Sequence, residues 1–145
     1  MWTVRVLSEI DDVVVEDMGR LLELLAADSV PPTKEYLEEV IADHDILVVV
    51  RDGHIVGTLT LLKIRQPIGR TCRIEDCIVD LEYRGQGLGI RLIKAAIKKA
   101  QEWDARFIDL NSNPTREAAN SLYVKMGFFQ RKTNVYRLLS DVSTS

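Results

Sequence analysis

Cysteine is scarce. Cys72 and Cys77 are the only two in 145 residues, too few for a disulfide framework, so a reducing cytoplasm is the expected compartment. Long apolar runs are missing as well. Stretches such as Ile46 to Val50 fall far short of the ~20 residues a membrane span needs, and no membrane partner is expected. The opening Met1-Trp2-Thr3-Val4-Arg5 has no basic stretch followed by an apolar run, so no signal peptide is expected. No basic cluster is interleaved with aromatics and the pI is about 5.4, which excludes nucleic acid as a main partner. The chain also lacks a GK[ST] ending, a G-x-S-x-G elbow and a Ser-His-Asp context. Nucleotide hydrolysis and serine-hydrolase chemistry are thereby set aside.

What is present is an ordinary globular composition, 46% hydrophobic and 28% charged, without repeats, low-complexity tracts or long linkers. One domain over 1–145 is expected, burying roughly 68–70% of its unfolded surface on folding. The net charge of −3 hides an asymmetry. Residues 1–45 carry twelve acids against three bases, a net of −9, which leaves +6 for the remainder. An acidic first third beside a basic remainder suits a cationic acceptor and an anionic cofactor, or else describes solvated helix faces.

Trp2 to Leu7 alternates loosely and predicts a short strand. Val14, Met18, Leu21, Leu22 and Leu25 recur at helical spacing over Val13–Ala27. Pro31-Pro32 breaks that helix, and Thr33 caps a second one containing Leu37, Val40 and Ile41. Asp52-Gly53 between Ile46–Val50 and Ile55–Leu62 is a hairpin signal, and a further strand is expected from about Thr71 to Val79. Leu88 to Trp103 is the clearest amphipathic helix, followed by a short strand at Phe107–Leu110. Asn113-Pro114 predicts an N-cap with proline at the first helical position, and that helix ends at Gly127. A final strand is expected at Asn134–Leu139 and a frayed tail over 140–145. The order is α+β: a mixed, mostly antiparallel central sheet flanked by helices.

Between a predicted strand and the long helix lies Arg84-Gly85-Gln86-Gly87-Leu88-Gly89. Three glycines in five residues allow a tight turn and close approach of a ligand to the main chain. The first amides of the helix have no intrahelical partner, and with the helix dipole they form an anion site suited to a pyrophosphate. The G-x-G-x-G pattern follows three hairpin-linked strands, unlike a dinucleotide fingerprint, which follows the first strand.

Arg84-x-x-Gly87-x-Gly89 resembles the Q/R-x-x-G-x-G/A signature of the GNAT superfamily of acetyl-CoA-dependent N-acetyltransferases. Ala119-x-x-Leu122-Tyr123-x-x-x-Gly127-Phe128 resembles a second segment of that superfamily, and the order of elements agrees. The resemblance implies an enzyme that moves the acetyl group of acetyl-CoA to a primary amine by direct attack in a ternary complex. The alternative is a non-catalytic acyl-CoA-binding or regulatory module on the same fold. It further implies that the main chain of Ile78 and Val79 pairs with the pantetheine arm. The amides of Arg84, Gly85, Gln86, Gly87, Leu88, Gly89 and Ile90 would hold the pyrophosphate, and Tyr123 would stand near the thioester sulfur as general acid. Many relatives are dimers, so a homodimer is the implied assembly. Departures from the common pattern are Leu81 for proline, Asp104 for glycine and Arg116 for asparagine.

An alkyl ammonium has a pKa of about 10.4, so its transfer chemistry needs a proton acceptor. Glu75 in Arg73-Ile74-Glu75-Asp76 lies where the superfamily often places one, and pairing with Arg73 or Arg106 is its other reading. Strand alternation predicts that Glu75 and Asp76 face opposite ways, as do Cys72 and Cys77, so no metal site is expected. The Ile-Glu-Asp segment also resembles glucosamine-6-phosphate acetyltransferases, too briefly to assign a sugar. The acceptor is expected to be a small molecule or peptide amine. His44 and His54 read as solvated, and Trp2 and Trp103 as packing aromatics.

Overall fold

Asp52 and Gly53 both take positive φ, 51° and 79°, the mirror-image turn whose twist matches two antiparallel strands. They join β2 (Asp45–Arg51) to β3 (His54–Gln66), and a second tight turn leads to β4 (Gly69–Val79). In the computed structural model, which describes residues 1–141, these strands form the middle of a five-stranded sheet in the order β1-β2-β3-β4-β5. β1 (Thr3–Val6) is antiparallel to β2, whereas β5 (Ile108–Asp109) runs parallel to β4 at Cys72 and Arg73 only.

Helices cover both faces, so β2 and β3 read as nearly unbroken apolar runs rather than alternating ones. α1 (Asp12–Leu25) and α2 (Lys34–Asp43) begin at side-chain caps, Asp11 accepting from Val14 N and Thr33 from Tyr36 N. Val14, Met18, Leu21 and Leu37 from these helices cluster with Ile46, Val48 and Ile55. α3 (Leu88–Glu102) presents Leu88, Leu92, Ile93, Ala96 and Ala100 as its buried stripe, and Leu47, Val49, Leu59 and Leu61 complete the core. After α3 the chain reverses at Asp104, whose φ of 61° gives the physical reason glycine would suit that position.

One carboxylate is buried by this packing. Asp17 of α1 is 5% exposed and accepts from Ile55 N at 2.9 Å, with the His54 Nδ1 at 3.3 Å from both of its oxygens. His54 is therefore tied to α1 rather than simply solvated, and His44 Nδ1 likewise accepts from Lys63 N at 3.0 Å. Truncating Asp17 would strand the Ile55 N–H. Asp17→Ala should cost about 2–3 kcal/mol in urea denaturation, and a loss below about 0.5 kcal/mol would show that the bond is dispensable.

The described residues divide into two compact units, one over 1–111 and one from residue 112 onward. The second contains α4 (Glu117–Lys125). Its start differs from the expected one. Asn113 Oδ1 accepts from both Thr115 N (3.0 Å) and Thr115 Oγ1 (2.8 Å), closing a local turn of its own, and the helix begins four residues later without a side-chain cap. The helix does end as expected, with Gly127 at φ 103°. The expected strand at 134–139 is not formed: Val135, Tyr136 and Leu138 are exposed, and no ladder partner reaches them among the described residues. The predicted frayed tail falls mostly on 142–145, outside the described residues.

Candidate active site

β4 runs through a 3-10 turn (Leu81–Tyr83) into the glycine loop. Two sets of contacts fix this approach. Asp80 accepts from Glu82 N at 3.5 Å and is bonded by Arg20, whose other nitrogen donates to Ile55 O at 3.1 Å. Tyr83 meets the Trp2 ring edge-on at 5.2 Å, and the Arg51 guanidinium lies over both rings, 4.5 Å from Trp2 and 5.7 Å from Tyr83. The loop thus leaves a clamped platform.

Gly85 and Gly87 have φ of 79° and 75°, conformations costly for any other residue. Gly87 is the N-cap of α3 and supplies no side chain, so the first amides of the helix face outward uncapped. A Cβ built at Gly85, Gly87 or Gly89 would meet no atom within 4 Å. The backbone here is open on its outer side, and that openness fits an incoming pyrophosphate held by main-chain N–H groups and the helix dipole.

Beside the loop, the outer edge of β4 carries only a short strand partner among the described residues. Parallel pairing with β5 ends at Arg73 opposite Asp109, which leaves 74–79 without a strand on that side among the described residues. Ile78 and Val79 therefore lie where an extended arm can add along the edge. Arg84 adds a detail: its Nε donates to Val79 O at 3.0 Å, so one lone pair of that carbonyl is taken by the protein itself.

The strand alternation expected for Glu75 and Asp76 fails for a definite reason. Thr58 pairs with Ile78 and Thr60 with Glu75, so two steps on β3 span three on β4, and Asp76 takes φ 51° at the bulge. The extra residue brings Glu75 and Asp76 onto one cavity of about 540 Å³ formed by α1, α2 and the sheet. It also removes the premise that Cys72 and Cys77 face opposite ways. Glu75 accepts from Arg73 Nε at 3.3 Å while lining the cavity, so its ion pair and its place in the site coexist. Desolvation, and then the Glu75 charge, push the Asp76 carboxyl above its ordinary range, although Asp76 stands at the open side of the cavity. Burial pushes the Cys72 thiol up, which suits a core residue and not a nucleophile. Alternation alone does not place Asp76 in the site; the doublet Glu75-Asp76, which breaks the polar–apolar alternation of Thr71-Cys72-Arg73-Ile74-Glu75, is its signal.

Tyr123 belongs to the second unit, on the last turn of α4. Its ring packs edge-on against Phe128 at 6.0 Å, and its carbonyl accepts from Phe128 N at 3.0 Å. Arg116 forms the N-cap residue of the same helix.

Residues 15–128 match the model of the acetyltransferase (GNAT) family. The chain belongs to the GNAT family. A provisionally named ribosomal protein bS18-alanine N-acetyltransferase of Bacillus subtilis (strain 168) is 31% identical over 119 residues, 78% of this chain and 75% of that protein. Glucosamine 6-phosphate N-acetyltransferase 1 of Oryza sativa subsp. japonica is 28% identical over 106 residues, 70% of this chain and 62% of that one. The crystal structure of a Trypanosoma brucei acetyltransferase, 24% identical, matches the fold with a TM-score of 0.80 over 96% of this chain and all of its own. The α+β sheet described above is thus the GNAT fold, and the protein is an acetyltransferase. GNAT relatives carry names with very different acceptors, a ribosomal protein in one case and an amino-sugar phosphate in another.

Proposed function

We propose that this chain transfers the acetyl group of acetyl-CoA to a primary amine, with cationic acceptors preferred. The observation that carries this reading is the open, uncapped glycine loop at the start of α3, continuous along β4 with the strand edge beyond the β5 ladder and with the carboxylates of the cavity. Arg84, Gly85, Gln86, Gly87, Leu88, Gly89 and Ile90 would hold the pyrophosphate through main-chain amides, and Ile78 and Val79 would pair with the pantetheine arm. Acetyl-CoA supplies an activated thioester. The ammonium of the acceptor gives its proton to the Glu75–Asp76 pair, and the freed nitrogen bonds to the carbonyl carbon as the C–S bond breaks. CoA then leaves as a thiolate that takes a proton from the Tyr123 hydroxyl, and the phenolate so formed takes the second proton that the nitrogen sheds as it becomes the amide. The binding-module alternative has all the loop features but no use for carboxylates lining an adjoining cavity, and the enzyme names of the GNAT relatives favour catalysis.

The test is acetyl-CoA consumption across polyamines, aminoglycosides, amino sugars, amino acids and peptide N-termini. Cationic acceptors should give the highest kcat/KM, and their KM should rise with salt, because the Debye length shrinks to ~10 Å by 0.1 M. An anionic best acceptor, or a KM indifferent to ionic strength, would reduce the acidic segment to a solvated surface.

A further inference from the structure

We propose that the cavity between α2 and β4 takes an aliphatic di- or polyamine, a dication whose two ammonium groups are held at opposite walls with the methylene chain between them. This deepens the acetyltransferase reading and rests on it for which nitrogen reacts. The charges come first. Glu75 is compensated by Arg73, but Glu39, Asp43 and Asp76 line the same cavity without an ion-pair partner, and no lysine or arginine lines it. Glu39 and Asp43 are one helical turn apart on α2 and make one anionic wall. Asp76, on the bulge of β4, makes the other.

The middle of the cavity is apolar. Met18 and Leu22 of α1, Val40 of α2, and Ile46 and Leu62 of the sheet give methylene groups a dry surface. A second, independent feature marks the β4 wall. Thr60 is only 9% exposed and lines the cavity, yet its hydroxyl has no hydrogen-bond partner among the described residues, in contrast to Thr58, which donates to Leu47 O. That hydroxyl is not sealed off but opens onto the cavity, where an ammonium or amine nitrogen seated between Thr60 and Asp76 would donate to it. The same nitrogen would relieve the desolvated, Glu75-facing Asp76 carboxylate. The amine at this wall is the one acetylated; the other stays charged against Glu39 and Asp43. A sugar phosphate would bring its anion into a cavity that offers it no cation.

Calorimetric titration without acetyl-CoA separates the binding claim from catalysis. 1,4-Diaminobutane and spermidine should bind ~10-fold or more tightly than n-butylamine, the effect of a second partly enclosed ion pair. In the double variant Glu39→Gln/Asp43→Asn, two exposed positions, that preference should vanish while n-butylamine affinity and thermal melting stay unchanged. Equal binding of mono- and diamines by the wild type, no binding of either, or an intact preference in the double variant would each overturn the proposal. Diamine binding with no acetyl transfer to any amine would sustain the cavity assignment and overturn the catalytic reading. Transfer to other amines without a diamine preference would do the reverse.

Discussion

Gly89→Glu should fold at least as well as the wild type and bind acetyl-CoA at least about 30-fold more weakly. Gly89 is the second residue of α3, its φ is not in the left-handed region, and a Cβ there meets nothing within 4 Å. Replacing glycine inside a helix recovers roughly 0.5–1 kcal/mol of backbone entropy. An acid in the first turn adds about 0.3–1 kcal/mol through the dipole. Thermal melting of the variant should therefore rise by a few degrees. The same carboxylate would stand among the amides proposed to hold the pyrophosphate. Like charges ~4 Å apart repel by about 4 kcal/mol at the effective dielectric of a protein surface. Halved by salt, that is still about 30-fold, at 1.4 kcal/mol per tenfold change. Gly89→Ala is the control, keeping the entropy gain without the charge. Gly87 is a poorer probe, because its φ of 75° makes any side chain strain the loop irrespective of ligand. Undiminished affinity in Gly89→Glu would show that the pyrophosphate is not held by this loop.

Legibility in the sequence followed the range of the interactions involved. The loop was readable because glycine spacing encodes backbone conformation locally, and Gly85 and Gly87 do adopt the left-handed geometry the pattern implies. The Asp52-Gly53 hairpin and the Thr33 cap were readable for the same reason: each is settled within four residues. Where local signals competed, the reading failed. Asn113 could cap a helix or close a turn with Thr115, and the turn won, so α4 starts at Glu117. Asn134–Leu139 has strand-like residues, but a strand exists only through a partner, and pairing is not encoded in the segment itself.

The site divided along the same line. Glu75 could be named from its place before the loop, whereas Asp76 depended on register against β3, a long-range property. Thr60, Glu39 and Asp43 are unremarkable as letters and meet only because α2 folds over the sheet. Motifs therefore mark the proposed cofactor half of the site, and packing marks the proposed acceptor half.

Tyr123→Phe should lower kcat by ~10²–10⁴-fold, the range typical of a lost general acid, with acetyl-CoA affinity nearly unchanged. A free thiol has a pKa near 8.5, so at neutral pH the departing CoA sulfur gains from a donor poised to protonate it. Tyr123 is the residue that the GNAT resemblance assigns to this role, in the segment Leu122-Tyr123-x-x-x-Gly127-Phe128. The substitution keeps the ring and the main chain and removes only the hydroxyl. The edge-on contact with Phe128 at 6.0 Å needs only the ring, and the bond from Phe128 N to the Tyr123 carbonyl needs only the backbone. Thermal melting should accordingly change by no more than a few degrees. A purely structural tyrosine would behave differently, leaving kcat untouched or lowering it only in step with stability. The measurement is single-turnover acetyl transfer with saturating acetyl-CoA, so that the chemical step is observed directly and product release cannot mask it. A phenylalanine variant with the wild-type single-turnover rate would remove Tyr123 from the proton path, and the thiolate would then have to be protonated by solvent or by another group.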